Sequence, residues 1–299
     1  MSTITNTIKR LRIFAQDHIR GNALGDGIIT MFKTLGLNDL FTRVLYAQER
    51  KEPSKGMQNA EKYYAAHQKE LEEVAALFAD DLSREVYFSA IRYRTTHDPK
   101  DAPVYSKHDQ YFVRDIVPLS EKEIFVDCGA FDGDTMKEFM KASHGKYRQI
   151  ICFEPMKEYH KKIEKHGKGK NVTAICAGVY KETTTLHFTA EGKGSAITKN
   201  EDASTITVPV RAIDDTPECR DATFIKMDIE GSEKEALAGA KETILRNKPK
   251  LAICLYHRNR DFIEIPNWIH KLVPEYKLYV RHHSFSVNET VLYAIPPEN

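Results

Sequence analysis

Up to about residue 96, apolar positions recur at helical spacing. Residues 70–78 place Leu71, Val74, Ala75 and Phe78 on one face, and Leu82, Val86, Tyr87 and Ile91 continue a similar stripe beyond Asp80-Asp81. Asp81 is expected to cap that second helix. Over residues 25–45, glycine breaks alternate with apolar pairs, which predicts two short helices separated near Gly36, the later one capped by Asn38. Residues 1–96 therefore read as an all-helical region. The stretch 97–118 carries Pro99, Pro103 and Pro118, has no sustained period, and is expected to be a linker.

From residue 119 to 299 short β-rich runs alternate with helical ones. Residues 123–127, 149–153, 172–176, 224–227 and 251–255 are apolar enough to be strands buried on both faces of a parallel sheet. Helices over 135–142, 156–166 and 233–246 supply the crossovers. Residues 185–189 and 207–212 are β-like additions. The last two runs, 276–281 and 291–295, are joined by too few residues for a crossover helix, so they should form an antiparallel hairpin. A dinucleotide-binding sheet would continue with βα units, whereas a nucleoside-binding methyltransferase sheet closes antiparallel. The pattern predicts an α/β, Rossmann-like sheet of the second kind, mostly parallel, preceded by the helical region.

Composition leaves this reading intact. Hydrophobic residues make up 41% and charged residues 29% of the 299, as in ordinary globular chains. The formal charge of +1 argues against a protein built to coat nucleic acid or anionic lipid. No apolar run approaches a membrane span and the polar opening residues lack a signal-peptide core, so a cytoplasmic location is expected. Cys128, Cys152, Cys176, Cys219 and Cys254 are odd in number and lack metal or redox spacing, and are read as packing residues.

The chemistry concentrates in three segments. In Phe125-Val126-Asp127-Cys128-Gly129-Ala130-Phe131-Asp132-Gly133-Asp134-Thr135, an apolar strand runs into an acid, then a Gly-x-x-x-Gly turn, then a helix start led by Asp134 or Thr135 as cap. Gly129 allows the turn, and Gly133 permits close approach of a ligand. Asp127 would accept a hydrogen bond or face a positive ligand group. A second carboxylate, Asp132, argues against a pyrophosphate, so a zwitterionic, cationic ligand such as S-adenosylmethionine fits better. Glu154 ends the next strand, where nucleoside-binding sheets hold ribose hydroxyls, and Pro155 is expected to begin the following helix. Asp228 and Glu230 end the strand 224–227. A glycine turn, or an acid at a helix start, is also compatible with a purely structural role for any one of these segments taken alone.

Together, VDCGAFDGDT, CFEP, KMDIEGSE and the late LYHR resemble the FkbM family of S-adenosylmethionine-dependent methyltransferases over about residues 110–296. The resemblance implies a Rossmann-like domain that methylates hydroxyl groups, usually on sugars or secondary metabolites. Carried over by position, Asp127, Gly129 and Gly133, with Ala130, Phe131, Asp132, Asp134 and Thr135 of the same loop, form the methionine and backbone side of the cofactor site. Glu154 holds the ribose, Ala177 and Gly178 lie near adenine, and Gln110 and Tyr111 belong to the segment preceding the loop. Asp228 borders the cofactor.

Methylation of oxygen requires an acceptor in line with the methyl group and a base for its proton. Asp228, Glu230 and His257 are the candidates, all at strand ends. Lys226, inside a strand, must snorkel or be paired, a neighbouring acid being the favoured partner. His282-His283 does not match metal spacing, and no metal is expected. Trp268, Tyr63, Tyr64, Tyr87, Tyr93 and Tyr105 offer faces on which a sugar could stack, but such residues more often serve core or interface packing. The expected partner is a small-molecule or glycan acceptor, with the N-terminal helices as a lid, acceptor platform or homodimer surface. An NAD-dependent oxidoreductase and a non-catalytic cofactor-binding scaffold are the alternatives.

Overall fold

A computed structural model describes residues 38–189, 197–198 and 205–297. The chain divides into two compact units, residues 1–46 with 185–208 and residues 47–184 with 209–299. The described helices and strands, in chain order, begin with α1 (Asn38–Glu49), α2 (Lys55–Ala66), α3 (Gln68–Ala75) and α4 (Asp81–Thr96). There follow β1 (Ile124–Cys128), α5 (Asp134–Ala142), β2 (Gln149–Phe153), α6 (Lys157–Gly167) and β3 (Val172–Ile175). Next come β4 (Gly178–Val179), β5 (Thr184–Thr189), β6 (Ile197–Thr198), β7 (Thr205–Arg211) and β8 (Phe224–Met227). The chain closes with α7 (Glu233–Ala238), α8 (Lys241–Asn247), β9 (Lys250–Cys254), α9 (Asp261–Leu272), β10 (Lys277–His282) and β11 (Thr290–Ile295). In the first unit, β5 and β6 pair antiparallel.

In the second unit a seven-stranded sheet has the order β10-β11-β9-β8-β1-β2-β3. Strands β3, β2, β1, β8 and β9 are parallel, and β11 runs antiparallel to both β9 and β10. The expected terminal hairpin is present. Successive side chains alternate between faces, so the buried runs feed two cores. Val126, Ile151, Ile225, Ile253 and Leu292 meet α2, α3, α4, α7, α8 and α9, while Phe125, Ile150, Phe224 and Ala252 meet α5 and α6. No described helix is long and apolar enough to cross a membrane.

Several local expectations change. Asp80, not Asp81, caps α4, its side chain accepting from the Ser83 N–H at 2.7 Å. Leu82 then falls on the solvent side, whereas Phe78 lies beyond the end of α3 and bridges to Leu278. The first of the two helices expected over 25–45 lies outside the described residues, and the second begins at Asn38. The helix expected over 233–246 breaks in two. A Cβ on Gly239 would lie 2.2 Å from the Tyr180 carbonyl oxygen, and Asp214 caps the second piece by accepting from the Glu242 and Thr243 N–H groups. The helix α9 is absent from the sequence reading, because Pro266 interrupts its periodic apolar pattern.

The stretch expected as a linker is packed. Tyr111, Phe112, Ile116 and Val117 are buried against Phe125, Phe139 and Phe224, and Tyr105 bridges to His282. The helices before it dock on the sheet by polar as well as apolar contacts. The Val280 N–H donates to Ser83, the Tyr87 hydroxyl to the Phe262 carbonyl, and the Tyr93 hydroxyl to the Phe285 carbonyl.

Candidate functional site

Strand order reverses at β1, which has β8 on one side and β2 on the other, and such a switch opens a crevice at the carboxyl ends of the strands. The 129–133 loop lies there. Gly129 has φ +79°, and a Cβ on it would sit 2.1 Å from the Asp228 carbonyl oxygen, so the turns after β1 and β8 touch through backbone. The Gly129 and Ala130 N–H groups both donate to the Phe153 carbonyl, which ties the loop to β2. Gly133, at φ +82°, is itself the cap position of α5. Asp134 does not cap that helix as expected: its carboxylate takes the N–H of the adjacent Thr135. Phe131, at φ +44° and 48% exposed, packs against Tyr159 in a tilted pair with centroids 4.2 Å apart.

Of the two roles open to Asp127, the structure has the inward one. Asp127 is fully buried, with Oδ1 3.0 Å from Lys226 Nζ. Lys226 also donates to the Gly129 carbonyl at 2.8 Å and reaches the Cys128 carbonyl at 3.3 Å. Burial by itself lowers the lysine pKa, but Asp127 and Asp228 outweigh it and keep the ammonium charged. This pair therefore holds the loop from beneath. The pairing expected for Lys226 is present.

Glu154 ends β2 and is buried. Its Oε2 accepts from the Phe131 N–H at 3.0 Å and its Oε1 from the Met156 N–H at 2.8 Å. Burial raises its pKa against these two hydrogen bonds. Pro155 does not begin the next helix, which starts at Lys157 with Met156 as its cap residue. Ala177 is buried just past β3, and Gly178 pairs with Val210. Asp132 is partly exposed and Asp134 exposed on the loop.

At the ends of β8 and β9 the acids and His257 come together. Asp228 Oδ2 accepts from the Tyr111 hydroxyl at 2.8 Å, and its Oδ1 accepts from the Tyr256 hydroxyl at 2.9 Å. Burial raises the Asp228 pKa, but Lys226, then His257 and the two hydroxyls, outweigh this and hold it below the usual value. His257 Nε2 lies 3.4 Å from Asp228 Oδ1 and 3.7 Å from Glu230 Oε2, while Nδ1 lies 2.8 Å from Glu233 Oε1. Burial by itself lowers the imidazole pKa, but Glu233, Asp228 and Glu230 together raise it. Gln110 donates to Glu289 and to the Tyr111 hydroxyl, which draws the 110–111 segment into the same cluster. Donor atoms of Asp228, Glu233 and His257 lie within 4.8 Å of one another.

Three members of this cluster escape a reading of the sequence. Glu233 ends the KMDIEGSE run and Tyr256 lies in LYHR beside His257, so both fall inside recognisable motifs that by themselves assign them no role. Glu289 carries no local signal and joins only through tertiary contact. His282 and His283 lie apart from this chemistry. Their nitrogens meet Thr290, Ser286, Ser106 and Tyr293, and burial pushes both imidazoles down to about 4.

A parallel sheet reversing at β1, an antiparallel closing hairpin and acids on the ends of β2 and β8 define a nucleoside-binding fold of the methyltransferase class. The FkbM methyltransferase domain matches residues 127–286, more than half of the chain, and the chain belongs to that family of S-adenosylmethionine-dependent methyltransferases. The crystal structure of an FkbM methyltransferase from Methylobacillus flagellatus KT aligns at 27% identity and TM-score 0.67, over 78% of this chain and 60% of that one. This chain thus spans less than two thirds of that protein's length. An rRNA methylase from Streptococcus thermophilus (13% identity, 60% and 90% of the two chains, TM-score 0.37) aligns more loosely. Fibrillarin from Aeropyrum pernix with natively bound S-adenosyl-L-methionine does likewise (13%, 64% and 74%, TM-score 0.38), and at these scores neither bears on function. No curated protein sequence matches.

Proposed function

We propose that this chain is an S-adenosylmethionine-dependent O-methyltransferase whose acceptor is a hydroxyl group of a sugar or secondary metabolite. One observation carries the reading: His257 Nε2, Asp228 and Glu230 gather at the carboxyl edge of β8 and β9, against the turn that carries Gly129. The donor set suits the cofactor. Glu154 keeps acceptor capacity on both oxygens for ribose hydroxyls, and the partly exposed Asp132 faces no competing pyrophosphate role. Ala177 and Gly178 leave room for adenine without an acidic partner. Asp127 and Lys226 support the loop rather than touch the ligand, and Gln110 and Tyr111 hold Asp228.

When bound, S-adenosylmethionine supplies a methyl group made electrophilic by its sulfonium. The chain contributes orientation and proton removal. His257 Nε2 takes the acceptor hydroxyl proton as oxygen becomes the nucleophile, and the neighbouring Asp228 and Glu230 stabilise the imidazolium that results.

Titration calorimetry with S-adenosylmethionine, S-adenosylhomocysteine and NAD tests the assignment. The two adenosyl compounds are expected to bind and NAD is not; binding of neither adenosyl compound overturns the reading. Glu154→Ala should weaken S-adenosylhomocysteine about ten- to a hundredfold, the worth of charge-assisted hydrogen bonds near ~1.5–3 kcal/mol. Glu154→Gln should also lose affinity, because its amide NH2 would oppose one of the two N–H donors now satisfied. Unchanged affinity in both variants would remove Glu154 from the site.

With hydroxyl acceptors supplied as a sugar panel, His257→Ala should lower turnover on the order of a hundredfold while leaving cofactor affinity intact. Wild-type activity should fall as pH drops through an inflection above the ordinary imidazole value of about 6.5, because the surrounding carboxylates raise the His257 pKa and the base must be unprotonated. Persistence of that inflection in His257→Ala would leave Asp228 and Glu230 as the candidates, with Asp228→Asn the variant that decides between them.

A further inference from the structure

The two ring nitrogens of His257 stand in unlike surroundings. Nδ1 meets Glu233 Oε1 at 2.8 Å, and that carboxylate is fully buried. The same oxygen accepts from the Ile229 N–H at 2.9 Å. Glu233 is the first residue of α7, held under the imidazole by a turn in which Glu230 (φ +57°) and Gly231 (φ +94°) both adopt left-handed backbone. A Cβ on Gly231 would lie 3.4 Å from His257 Cβ and 2.8 Å from Arg258 Nε, so the turn and the end of β9 are packed as closely as glycine permits.

Nε2 has no partner so near. Asp228, at 3.4 Å, already accepts from two tyrosine hydroxyls, and Glu230, at 3.7 Å, has a side chain 94% exposed. One nitrogen thus lies at contact distance from a carboxylate shut off from water, and the other has only longer approaches, to Asp228 and to the exposed Glu230.

We propose that Glu233 is a positioning residue that fixes the tautomer and orientation of His257, with Nδ1 carrying the proton and Nε2 left as the atom that meets the acceptor hydroxyl. This rests on the reading of His257 as base given above. A carboxylate on the far nitrogen holds the ring in one orientation and stabilises the imidazolium formed on proton uptake. Being buried, Glu233 has no path to the acceptor and does not itself take the proton.

The charged groups around the imidazole come from every element packed on it: Glu233 from α7, Asp228 and Glu230 from the turn after β8, and Glu289 from the loop before β11. On α9, Asp261 takes the Arg258 N–H at 2.9 Å; burial first, then Glu233, pushes its pKa up to about 7.

Nitrogen-15 NMR of the full chain labelled at histidine, with His257→Gln to assign the resonance, tests the inference without turnover. In the wild type above its pKa, His257 should be the Nδ1–H tautomer; an Nε2–H tautomer overturns the proposal, and this measurement needs no Glu233 variant to fold. Glu233→Gln should lower the His257 pKa and reduce kcat on the order of a hundredfold with KM for the acceptor little changed, and Glu233→Asp should restore part of both. An unshifted imidazole in folded Glu233→Gln overturns the proposal. So does a His257 resonance that moves on adding Mg2+ or Zn2+ and returns with EDTA, since Asp228, Glu233 and His257 would then be cation ligands. Wild-type turnover in His257→Ala would instead sink the base assignment, whatever the tautomer.

Discussion

Gly129→Val should abolish S-adenosylhomocysteine binding and destabilise the second unit by about 2–6 kcal/mol, combining left-handed backbone strain with overpacking. Two independent costs meet at this residue. Its φ of +79° is one that β-branched residues avoid, and any Cβ would lie 2.1 Å from the Asp228 carbonyl oxygen. That oxygen is backbone and cannot rotate aside, so the turns after β1 and β8 must separate. Separation moves the Gly129 carbonyl away from Lys226 and the loop away from Glu154. Gly129→Ala should therefore be nearly as damaging as valine. Gly145 is the control: it has φ +73°, and a Cβ there would meet nothing within 4 Å, so Gly145→Ala should cost only about 1 kcal/mol and leave binding intact. Calorimetry and thermal melting of the three variants check this; Gly129→Ala behaving like Gly145→Ala would show that the close approach carries no weight.

Lys226→Met should cost about 3–5 kcal/mol, the usual penalty for removing one partner of a buried ion pair. Asp127 is fully buried and Lys226 nearly so, and the methionine would leave the Asp127 carboxylate without its cation. Asp127→Asn combined with Lys226→Met should be less harmful than Lys226→Met alone, because no buried charge then remains. The sign of the pH dependence follows. Burial already holds the Asp127 pKa above its ordinary value of about 3.9 despite the Lys226 ammonium, and in Lys226→Met it rises further, so the added penalty is largest at neutral pH and shrinks as pH falls toward that value. Urea unfolding at pH 5 and pH 8 reads it directly. Equal loss at both, with no recovery in the double variant, would assign the defect to packing and not to charge.

The parallel strands are legible in the sequence because they are short apolar runs buried on both faces, and β1, β2 and β8 fall within a residue of the expected bounds. The antiparallel hairpin follows from the short connection between its strands. Helical periodicity marks α3 and α4 and puts Leu71, Val74, Ala75 and Phe78 in one core, yet it runs the first helix past Ala75 and misplaces Leu82 and the cap, since a face is assigned by what packs on it as well as by spacing. In α9 the proline masks a helix that tertiary packing of Phe262, Ile265 and Ile269 sustains.

The amino-acid order by itself determined the class of sheet, the position of the glycine loop, and the acids at the carboxyl ends of three strands, because each depends on local periodicity and on where an apolar run stops. Only the tertiary structure decided what those acids do. Asp127 turned inward because Lys226, across the pairing of β1 and β8, offered a charge that water could not reach. His257 acquired one occupied and one open nitrogen because a turn after β8 carried Glu233 beneath a strand end far along the chain. Such pairings arise between segments distant in sequence, where no periodicity connects them and the low dielectric of the interior makes each charge depend on its neighbour.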